Sequence, residues 1–372
     1  MTLSIVKSPA VLIFTIGVCL LSYTFRFWTP NLHRPTLTDK SELDADVLVI
    51  GGGPAGLSGA LTLVRHQHDM IIFDNGRPRN QWDTPLHVLP TWEHRSPSQL
   101  REASRRELQA TGLVRFVDEK VVQVEKIHDS LFSATSSSGA VWSGKKVMLA
   151  TGVDFIYPDI PGYTENFPER ILHCLFTRGF EFKGSASAGI IAADLASSPP
   201  HAIILGEDAG KFAENVTVYT NGDAKLAGEI SELLTQKGEN NISVDDRQIK
   251  GITRELQTSN VKLSFERGPD RIESFLVHQS ATRVSREIVV QLGLETNARG
   301  DIVTSMPFYQ TNVTGVFAAG DSASPFKMIP NAIFQGSNAG AGVARDLPRR
   351  ITKNRVNRLY RHRIHGWLTD WW

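Results

Sequence analysis

The stretch that decides the fold is Asp46-Val-Leu-Val-Ile-Gly51-Gly-Gly53-Pro-Ala-Gly56. Its first half is almost wholly apolar, which is typical of a central strand in a parallel sheet. The G-x-G-x-x-G spacing that follows is typical of a strand that turns directly into a helix. Residues 57–66 continue as that helix, and residues 70–74 form a second apolar strand that ends in Asp74. We therefore predict a dinucleotide-binding α/β unit that begins near residue 44.

Each residue of the glycine turn has a separate task. Gly51 allows the tight turn, Gly53 lets the backbone approach a pyrophosphate, and Gly56 lets the helix pack closely on the strand. The helix begins near Pro54 and Ala55, where free amide groups and the positive end of the helix dipole face the phosphates. The turn is therefore predicted to bind a dinucleotide rather than to serve only as a structural loop.

Asp74 follows the second strand, where a carboxylate accepts hydrogen bonds from ribose hydroxyl groups. The same negative charge disfavours a 2′-phosphate, so FAD or NAD fits this position better than NADP.

A second signal lies near the other end of the chain. Residues 311–321 form a strand that leads into Gly320-Asp321, and residues 329–344 form a small-residue helix with Pro330 in its first turn. Such a helix is suited to packing closely on a sheet or on a cofactor.

Together these motifs resemble the thioredoxin reductase-like FAD flavoproteins of the class II pyridine nucleotide-disulfide oxidoreductase family. The resemblance implies FAD and two Rossmann-like domains, each a three-layer ββα unit, with the first domain split by the second. It also implies contacts to FAD from Asn75, Gly76, Arg77, Pro78, Arg79, His87, Val122, Ala150, Asp321, Met328 and Ile329.

On this basis we divide the chain into five parts. They are a membrane anchor with a linker, the first part of the FAD domain, a degenerate NAD(P)H-type central domain, the second part of the FAD domain and a basic tail. Their predicted ranges are 1–43, 44–157, 158–297, 298–346 and 347–372.

The central segment lacks the usual signature of a nicotinamide site. The apolar run at residues 188–194 leads to Leu-Ala-Ser-Ser-Pro-Pro200 and not to a glycine fingerprint. The next strand, residues 215–221, ends in Asn-Gly with no arginine pair close behind it. Without close backbone approach and without cations, NADPH has no obvious place to bind.

Within the family, the chain looks most like the fungal dithiol oxidases of the gliotoxin type. Those proteins use FAD and molecular oxygen, and they close a disulfide through a Cys-x-x-Cys pair. Here the corresponding segment is Cys174-Leu-Phe-Thr177, and in the family the second position is the one nearer the flavin. A threonine hydroxyl cannot replace that thiolate, so exchange through an internal dithiol is not expected.

The candidate catalytic residues are therefore Cys174 and His173. Cys174 has three interpretations: a single nucleophile, a bystander in a pocket wall, or a buried apolar side chain. His173 is a base near the flavin or a structural histidine. Arg178 is an anchor for an anionic substrate or, the interpretation we favour from sequence, a solvated surface charge.

The composition limits the partners. Net charge is +1, from 40 Lys+Arg against 39 Asp+Glu, which gives no global field for nucleic acid. The chain has two cysteines, Cys19 and Cys174, which excludes a disulfide framework and a zinc site built mainly from thiolates, and we predict no metal.

The N-terminus contains an uncharged run from Ser8 to Phe25, close to the lower end of the roughly 17–25 residues that span a bilayer. We predict a single-pass anchor with a cytoplasmic catalytic domain, because more positive charges follow the run than precede it. A cleaved signal peptide and a simple hydrophobic extension are the alternatives. The basic, Trp-rich tail is either a membrane-surface segment or a disordered end.

The sequence thus predicts an FAD-dependent oxidoreductase. By resemblance it is an oxygen-using oxidase that acts on a small metabolite in a fungal secondary-metabolite pathway, without a redox dithiol, and it forms a homodimer. The alternatives are an NAD(P)H-fed flavin reductase, a flavin monooxygenase and a non-catalytic FAD-binding scaffold.

Overall fold

The computed structural model describes residues 43–82, 85–255, 258 and 260–347. Apart from the single residues at their borders, the predicted anchor at residues 1–43 and the predicted tail at residues 347–372 lie outside this part of the chain. Across the described residues, we find no helix whose length and apolar character suffice for a bilayer crossing.

The glycine motif belongs to a seven-stranded sheet. Its central strand β1 (Ala45–Ile50) runs parallel to β2 (Met70–Phe73) on one side and to β6 (Val141–Leu149) on the other. Strand β6 pairs in parallel with β17 through its last residues, and it closes an antiparallel meander with β4 and β5 through its first residues. The remaining strands are β3 (Val114–Val117), β4 (Val121–His128), β5 (Leu131–Ser136) and β17 (Val316–Ala318).

Residue alternation along β1 separates two cores. Val47 and Val49 pack with the apolar faces of the helices, whereas Leu48 and Ile50 pack on the opposite side with residues of the meander. Successive strand residues point to opposite faces, so one strand serves both cores. The resulting layers of helices, parallel sheet and meander form the predicted three-layer ββα unit. Its helices are α1 (Pro54–Arg65), α2 (Pro97–Ala110) and α8 (Ile329–Asp346).

Helices α1 and α8 touch through their backbones. A Cβ placed on Gly336 would lie 2.1 Å from the Ala55 carbonyl oxygen, and one on Gly340 would lie 2.5 Å from the Gly59 carbonyl oxygen. The small-residue face predicted for residues 329–344 therefore packs against the helix that follows the glycine turn.

The central domain is a second α/β unit with a parallel sheet in the order β11-β10-β9-β15-β8. A three-stranded antiparallel sheet, β12-β13-β14, accompanies it. The helices are α3 (Tyr163–Asn166), α4 (Leu175–Arg178), α5 (Pro199–Ala209) and α6 (Ala224–Lys237), and the strands are β8 (Ile171–Leu172), β9 (Ser185–Ile191), β10 (Ala213–Tyr219), β11 (Ile242–Asp245), β12 (Ile249–Arg254), β13 (Val261–Phe265), β14 (Arg271–Glu273) and β15 (Phe275–Val277).

Two crossing segments connect the units. Strand β7 (Asp154–Ile156) pairs antiparallel with β16 (Ala281–Arg283). The chain then enters α7 (Arg286–Leu292), and Ile288 and Leu292 pack in the meander-side core of the first unit. Helix α7 thus packs on the first unit although it precedes residue 298, the predicted start of the second part of the FAD domain. In sequence, strands of the first sheet lie both before and after those of the second sheet.

Candidate functional site

A cavity of about 990 Å³ opens at the carboxyl ends of β1 and β2. Residues from both ends of the first domain and from the α4 segment line it. Most of the predicted FAD contacts are among the lining residues: Gly51, Gly53, Pro54, Ala55, Asp74, Asn75, Arg77, Pro78, Arg79, His87, Ala150, Asp321, Met328 and Ile329.

The glycine turn shows why the spacing matters. Gly51 has φ +117°, and a Cβ there would lie 2.0 Å from the Ala150 carbonyl oxygen. A Cβ on Gly56 would lie 1.9 Å from the Gly51 carbonyl oxygen. By contrast, a Cβ on Gly53 would meet no atom of the described chain within 4 Å. Two of the glycines therefore serve packing, and the third leaves open space above the N-terminus of α1.

Asp74 lies directly beside this turn. Its Oδ1 accepts a hydrogen bond from the Gly76 amide at 3.0 Å, and its Oδ2 lies 3.3 Å from Arg105 Nη1. A Cβ on Gly52 would lie 2.3 Å from Asp74 Oδ2, so the carboxylate closes the side of the glycine turn.

Arg79 links the two distant flavin motifs. Its Nε donates to Asp321 Oδ2 at 2.6 Å, and its Nη2 donates to the Lys327 carbonyl oxygen at 2.7 Å. Its guanidinium also lies over the Phe155 ring, 5.4 Å from the centroid. The loop after β2 is thereby fixed against the Gly-Asp turn.

Lys327 organises the segment between the Gly-Asp turn and α8. Its Nζ donates to Asp301 Oδ1 at 2.8 Å, to the Asp321 carbonyl oxygen at 2.9 Å and to the Ser324 carbonyl oxygen at 2.7 Å. Gln335 Oε1 accepts from the Gly320 amide at 2.9 Å. The Gly-Asp turn and the start of α8 therefore form one rigid wall of the cavity.

His173 also lines the cavity, and its ring lies against those of Phe155 and Phe167. Burial, together with the positive charges of Arg79 and Arg178, lowers the pKa of His173 to about 3. Its Nδ1 is buried and has no hydrogen-bond partner among the described residues. The imidazole is therefore neutral at physiological pH, and its Nδ1 can form a hydrogen bond with a bound ligand.

The Cys174 segment presents its fourth residue to the cavity. Thr177 and Arg178 line the cavity, whereas Cys174 is absent from its lining. The Thr177 hydroxyl donates to the Cys174 carbonyl oxygen at 3.0 Å. Cys174 immediately precedes α4 and has no disulfide partner in the described part of the chain.

Arg178 corrects our sequence-based interpretation. Its Nη1 is buried, and the described residues offer it no acceptor. A solvated surface charge would not leave this donor buried and unpaired, so the preference for that interpretation was wrong.

Three predicted FAD contacts do not line the cavity: Gly56, Gly76 and Val122. Gly56 serves helix packing, and Gly76 forms a turn with φ +68°. Val122 is 44% exposed, and its neighbour Val121 lines the cavity instead. Side chains alternate along a strand, so Val121 and Val122 lie on opposite faces, and the contact of Val122 with FAD stays a prediction.

Several residues that line the cavity were not predicted from the sequence as site residues. Some lie within a few residues of a predicted motif and could have been found there: Gly52, Asn80, Trp82, Thr151 and Lys327. The segment at residues 283–288 also lines the cavity, but it carried no motif that could have revealed it.

The nucleotide turn of the central domain has a different form. After β9 the chain enters a short 3₁₀ turn at Asp194–Ser197, and α5 then begins with Pro199 and Pro200. Neither proline has an N–H group, so the first turn of α5 lacks two amide donors that a pyrophosphate would need. Behind β10, Asn221 Oδ1 is occupied by the Ile249 amide at 2.9 Å.

FAD fits the first domain. The open space over Gly53 suits a pyrophosphate, the start of α1 supplies amide donors, and Asp74 supplies a ribose acceptor. The cavity continues past Asp321 to the start of α8, where a helix dipole favours negative charge.

Comparisons with known proteins agree with this geometry. The family model described as pyridine nucleotide-disulphide oxidoreductase matches residues 45–336. The thioredoxin reductase tcpT of Claviceps purpurea (strain 20.1) is 35% identical over 299 residues, which cover 79% of this chain and 92% of that protein. The thioredoxin reductase sirT of Leptosphaeria maculans is 38% identical over 307 residues, which cover 80% and 93%.

Among solved structures, an oxidoreductase from Agrobacterium tumefaciens matches with a TM-score of 0.72 and 26% identity, and the match covers 81% of this chain and 97% of that one. The extent of the family match and the identity to the fungal relatives leave one conclusion. The chain belongs to the pyridine nucleotide-disulphide oxidoreductase family and is an FAD-dependent oxidoreductase.

Proposed function

We propose that this protein is an oxidase that removes two hydrogens from a small metabolite, with dioxygen as the final acceptor and hydrogen peroxide as the second product. The resemblance stated above supports a substrate from a fungal secondary-metabolite pathway. FAD, when bound, supplies the two-electron chemistry between substrate and dioxygen.

The position of Thr177 is the observation that carries this proposal. Thr177 lines the cavity at the place where the dithiol family has its inner cysteine, and its hydroxyl is bound to a backbone carbonyl. A hydroxyl group does not form a disulfide, and no base is bonded to it there. The substrate therefore reacts without an internal disulfide relay.

His173 and Arg178 provide the contacts to the substrate. Each has a buried nitrogen without a partner in the described chain, and both residues line the cavity. Buried polar groups are hydrogen-bonded in folded proteins. A bound substrate therefore supplies the hydrogen-bond partner that each of these two nitrogens lacks. Arg178 Nη1 donates to a substrate oxygen, and His173 Nδ1 forms one hydrogen bond that orients the reacting group.

The form of the central domain supports a substrate, and not NAD(P)H, as the source of electrons. The start of α5 lacks two amide donors, and Asp194 places a carboxylate next to the same turn, where its Oδ2 accepts from the Ala281 amide at 3.1 Å. A phosphate group there would find few donors and a negative charge.

The test is to incubate the purified, FAD-loaded protein with metabolite extracts from a strain that lacks this gene. Flavin bleaching, oxygen uptake and the mass of the consumed metabolite are followed together. A product lighter by two hydrogens, with peroxide formed in equal amount, supports the proposal. A product that has gained an oxygen atom identifies a monooxygenase. A flavin that no extract reduces would favour the scaffold hypothesis.

A variant pair refines this test. Arg178→Lys keeps the charge but changes the geometry of the donors, and Arg178→Met removes both. If Arg178 binds the substrate, both variants raise KM and leave the FAD content unchanged, and the Met variant has the larger effect. Equal KM values for wild type and both variants would exclude this role.

A further inference from the structure

Four ionisable side chains meet at the edge of the cavity, and one of them, His87, is also among the predicted FAD contacts. Three come from the loop between β2 and α2, namely His87, Glu93 and His94, and the fourth is Glu181 in the short 3₁₀ turn after α4. The candidate ligand atoms of His87, His94 and Glu181 all lie within 4.8 Å of one another. Residues distant in sequence thus converge on one point.

The imidazole of His87 is oriented by Glu93. Its Nδ1 lies 2.7 Å from Glu93 Oε1, and Glu93 Oε2 accepts the Val88 amide at 3.0 Å. A carboxylate that holds one nitrogen of an imidazole fixes the proton there and leaves the other nitrogen as an acceptor. This is the arrangement found behind metal-ligating histidines.

The other nitrogen of His87 faces a carboxylate. His87 Nε2 lies 3.2 Å from Glu181 Oε1. If Nδ1 carries the proton, then two acceptors face each other and a cation must lie between them. Either a second proton on His87 or a metal ion satisfies this requirement, and the third group distinguishes the two.

That third group is His94. Its ring lies edge-on to the His87 ring, with centroids 5.0 Å apart and planes at 81°. Its backbone has φ +62° and donates to the Leu86 carbonyl oxygen at 2.8 Å. A second imidazole brings no benefit to a protonated His87, but it is an additional ligand for a metal.

We propose that His87 Nε2, a ring nitrogen of His94 and the Glu181 carboxylate form a divalent metal site whose natural ion is Zn²⁺. Two imidazoles and one carboxylate with an open fourth position are a donor set that zinc takes, and imidazole disfavours Mg²⁺ and Ca²⁺. Glu93 acts behind His87 as the orienting carboxylate.

The site has a structural consequence. The ion would tie the loop at residues 85–96 to the turn that follows the Cys174 segment, and His87 also lines the cavity. Zinc has no redox chemistry, so it would hold this wall without competing for the electrons of the flavin.

The experiment uses tag-free, FAD-loaded protein treated with a chelator and then dialysed against Zn²⁺. The metal-to-protein ratio is measured by mass spectrometry, and affinity is measured by calorimetry. We expect one Zn²⁺ for each wild-type chain. His94→Ala and Glu181→Gln lose the ion, and Glu93→Gln binds it about 10–100-fold more weakly. His128→Ala, an exposed histidine on β4, is the matched control and binds as wild type.

X-ray absorption of the zinc-loaded protein gives an independent result. We expect nitrogen and oxygen neighbours with the outer-shell pattern of two imidazoles. A sulfur neighbour, binding that persists in His94→Ala and Glu181→Gln, or wild-type binding no stronger than that of these two variants would each overturn the proposal. Flavin absorbance, recorded for every sample, shows that the protein is folded and loaded, so failure here is distinct from failure of the oxidase proposal.

Discussion

A side chain added at Gly53 would point into the open space of the cavity, because no atom of the described chain lies within 4 Å of a Cβ built there. Its backbone has φ −81° and ψ −177°, which any residue adopts. Gly53→Ala is therefore expected to leave the stability of the cofactor-free protein within about 1 kcal/mol. The added methyl group occupies the space of the pyrophosphate, so the Kd for FAD rises at least about tenfold.

This prediction is measured by flavin titration and by denaturation of the same samples. Gly228→Ala is the control, because Gly228 is also free of near neighbours within the described chain but lies on the exposed face of α6. That variant should bind FAD as wild type does. Unchanged FAD affinity in Gly53→Ala would contradict the assignment of the turn.

His173 makes stability depend on pH. Its pKa is lowered from 6.5 to about 3 in the folded protein by burial and by neighbouring arginines. Between these values the unfolded chain binds a proton that the folded chain does not, so the free energy of unfolding falls as pH falls below about 6.5. At pH 5 this costs about 2 kcal/mol relative to pH 7.

Denaturant titrations of the cofactor-free protein at both pH values check this. His173→Gln should lose the part of the pH dependence of unfolding that comes from His173. The remaining pH dependence includes a similar effect of His278, whose pKa is lowered to about 4 by burial. The same pH dependence in wild type and His173→Gln would refute the buried, neutral imidazole.

At the scale of elements, the contact between α1 and α8 sets the geometry of both flavin motifs. Gly336→Ala would place a Cβ 2.1 Å from the backbone oxygen of Ala55, which has no freedom to move away. We expect destabilisation by about 1–3 kcal/mol, the usual cost of overpacking. Thermal unfolding of this variant beside Gly228→Ala measures the effect, and an unchanged melting temperature would show that the helices are not in contact as described.

The segment before α8 depends on one cation. Lys327 and Asp301 are 16% and 5% exposed, respectively, and pair at 2.8 Å. Lys327→Met leaves the Asp301 carboxylate buried without its ion pair, at a cost of about 3–5 kcal/mol. The double variant Lys327→Met/Asp301→Asn removes that charge and should recover part of the loss. A double-mutant cycle by chemical denaturation measures the coupling energy between Lys327 and Asp301. If the losses in stability of the two single variants simply add up in the double variant, the ion pair does not contribute as described.

At the scale of the whole molecule, local patterns predicted much of the fold. The strand-turn-helix at residues 46–66 and the small-residue helix α8 follow from periodicity and from glycine spacing alone. The order of the flavin motifs predicts a split domain, and strands of the first sheet do lie before and after those of the second sheet in sequence. These features are determined by residues that are close together in the sequence, so a local pattern is enough to predict them.

Other features required the assembled chain. The Arg79–Asp321 ion pair and the His87–Glu181 contact join residues far apart in sequence. No local sequence pattern predicts either contact. Which side chains of β4 face the cavity depends on the register of the strand, as the neighbours Val121 and Val122 show. The packing of α7 on the meander-side core likewise depends on the crossing strands that bring the chain back to the first unit.

The two domains differ at the turn between strand and helix. The first has every feature of a dinucleotide site, whereas the second keeps the sheet of such a site but starts its helix with two prolines. This difference underlies the proposal that electrons enter from the substrate side of the cavity and not from a bound nicotinamide.

Anaerobic mixing of the FAD-loaded protein with NADPH and with NADH tests this central claim most directly. The account predicts that neither cofactor bleaches the visible flavin band, and that flavin reduced by light is reoxidised by dioxygen with formation of one hydrogen peroxide for each flavin. Rapid bleaching by either nicotinamide, at a rate that saturates with its concentration, would contradict it.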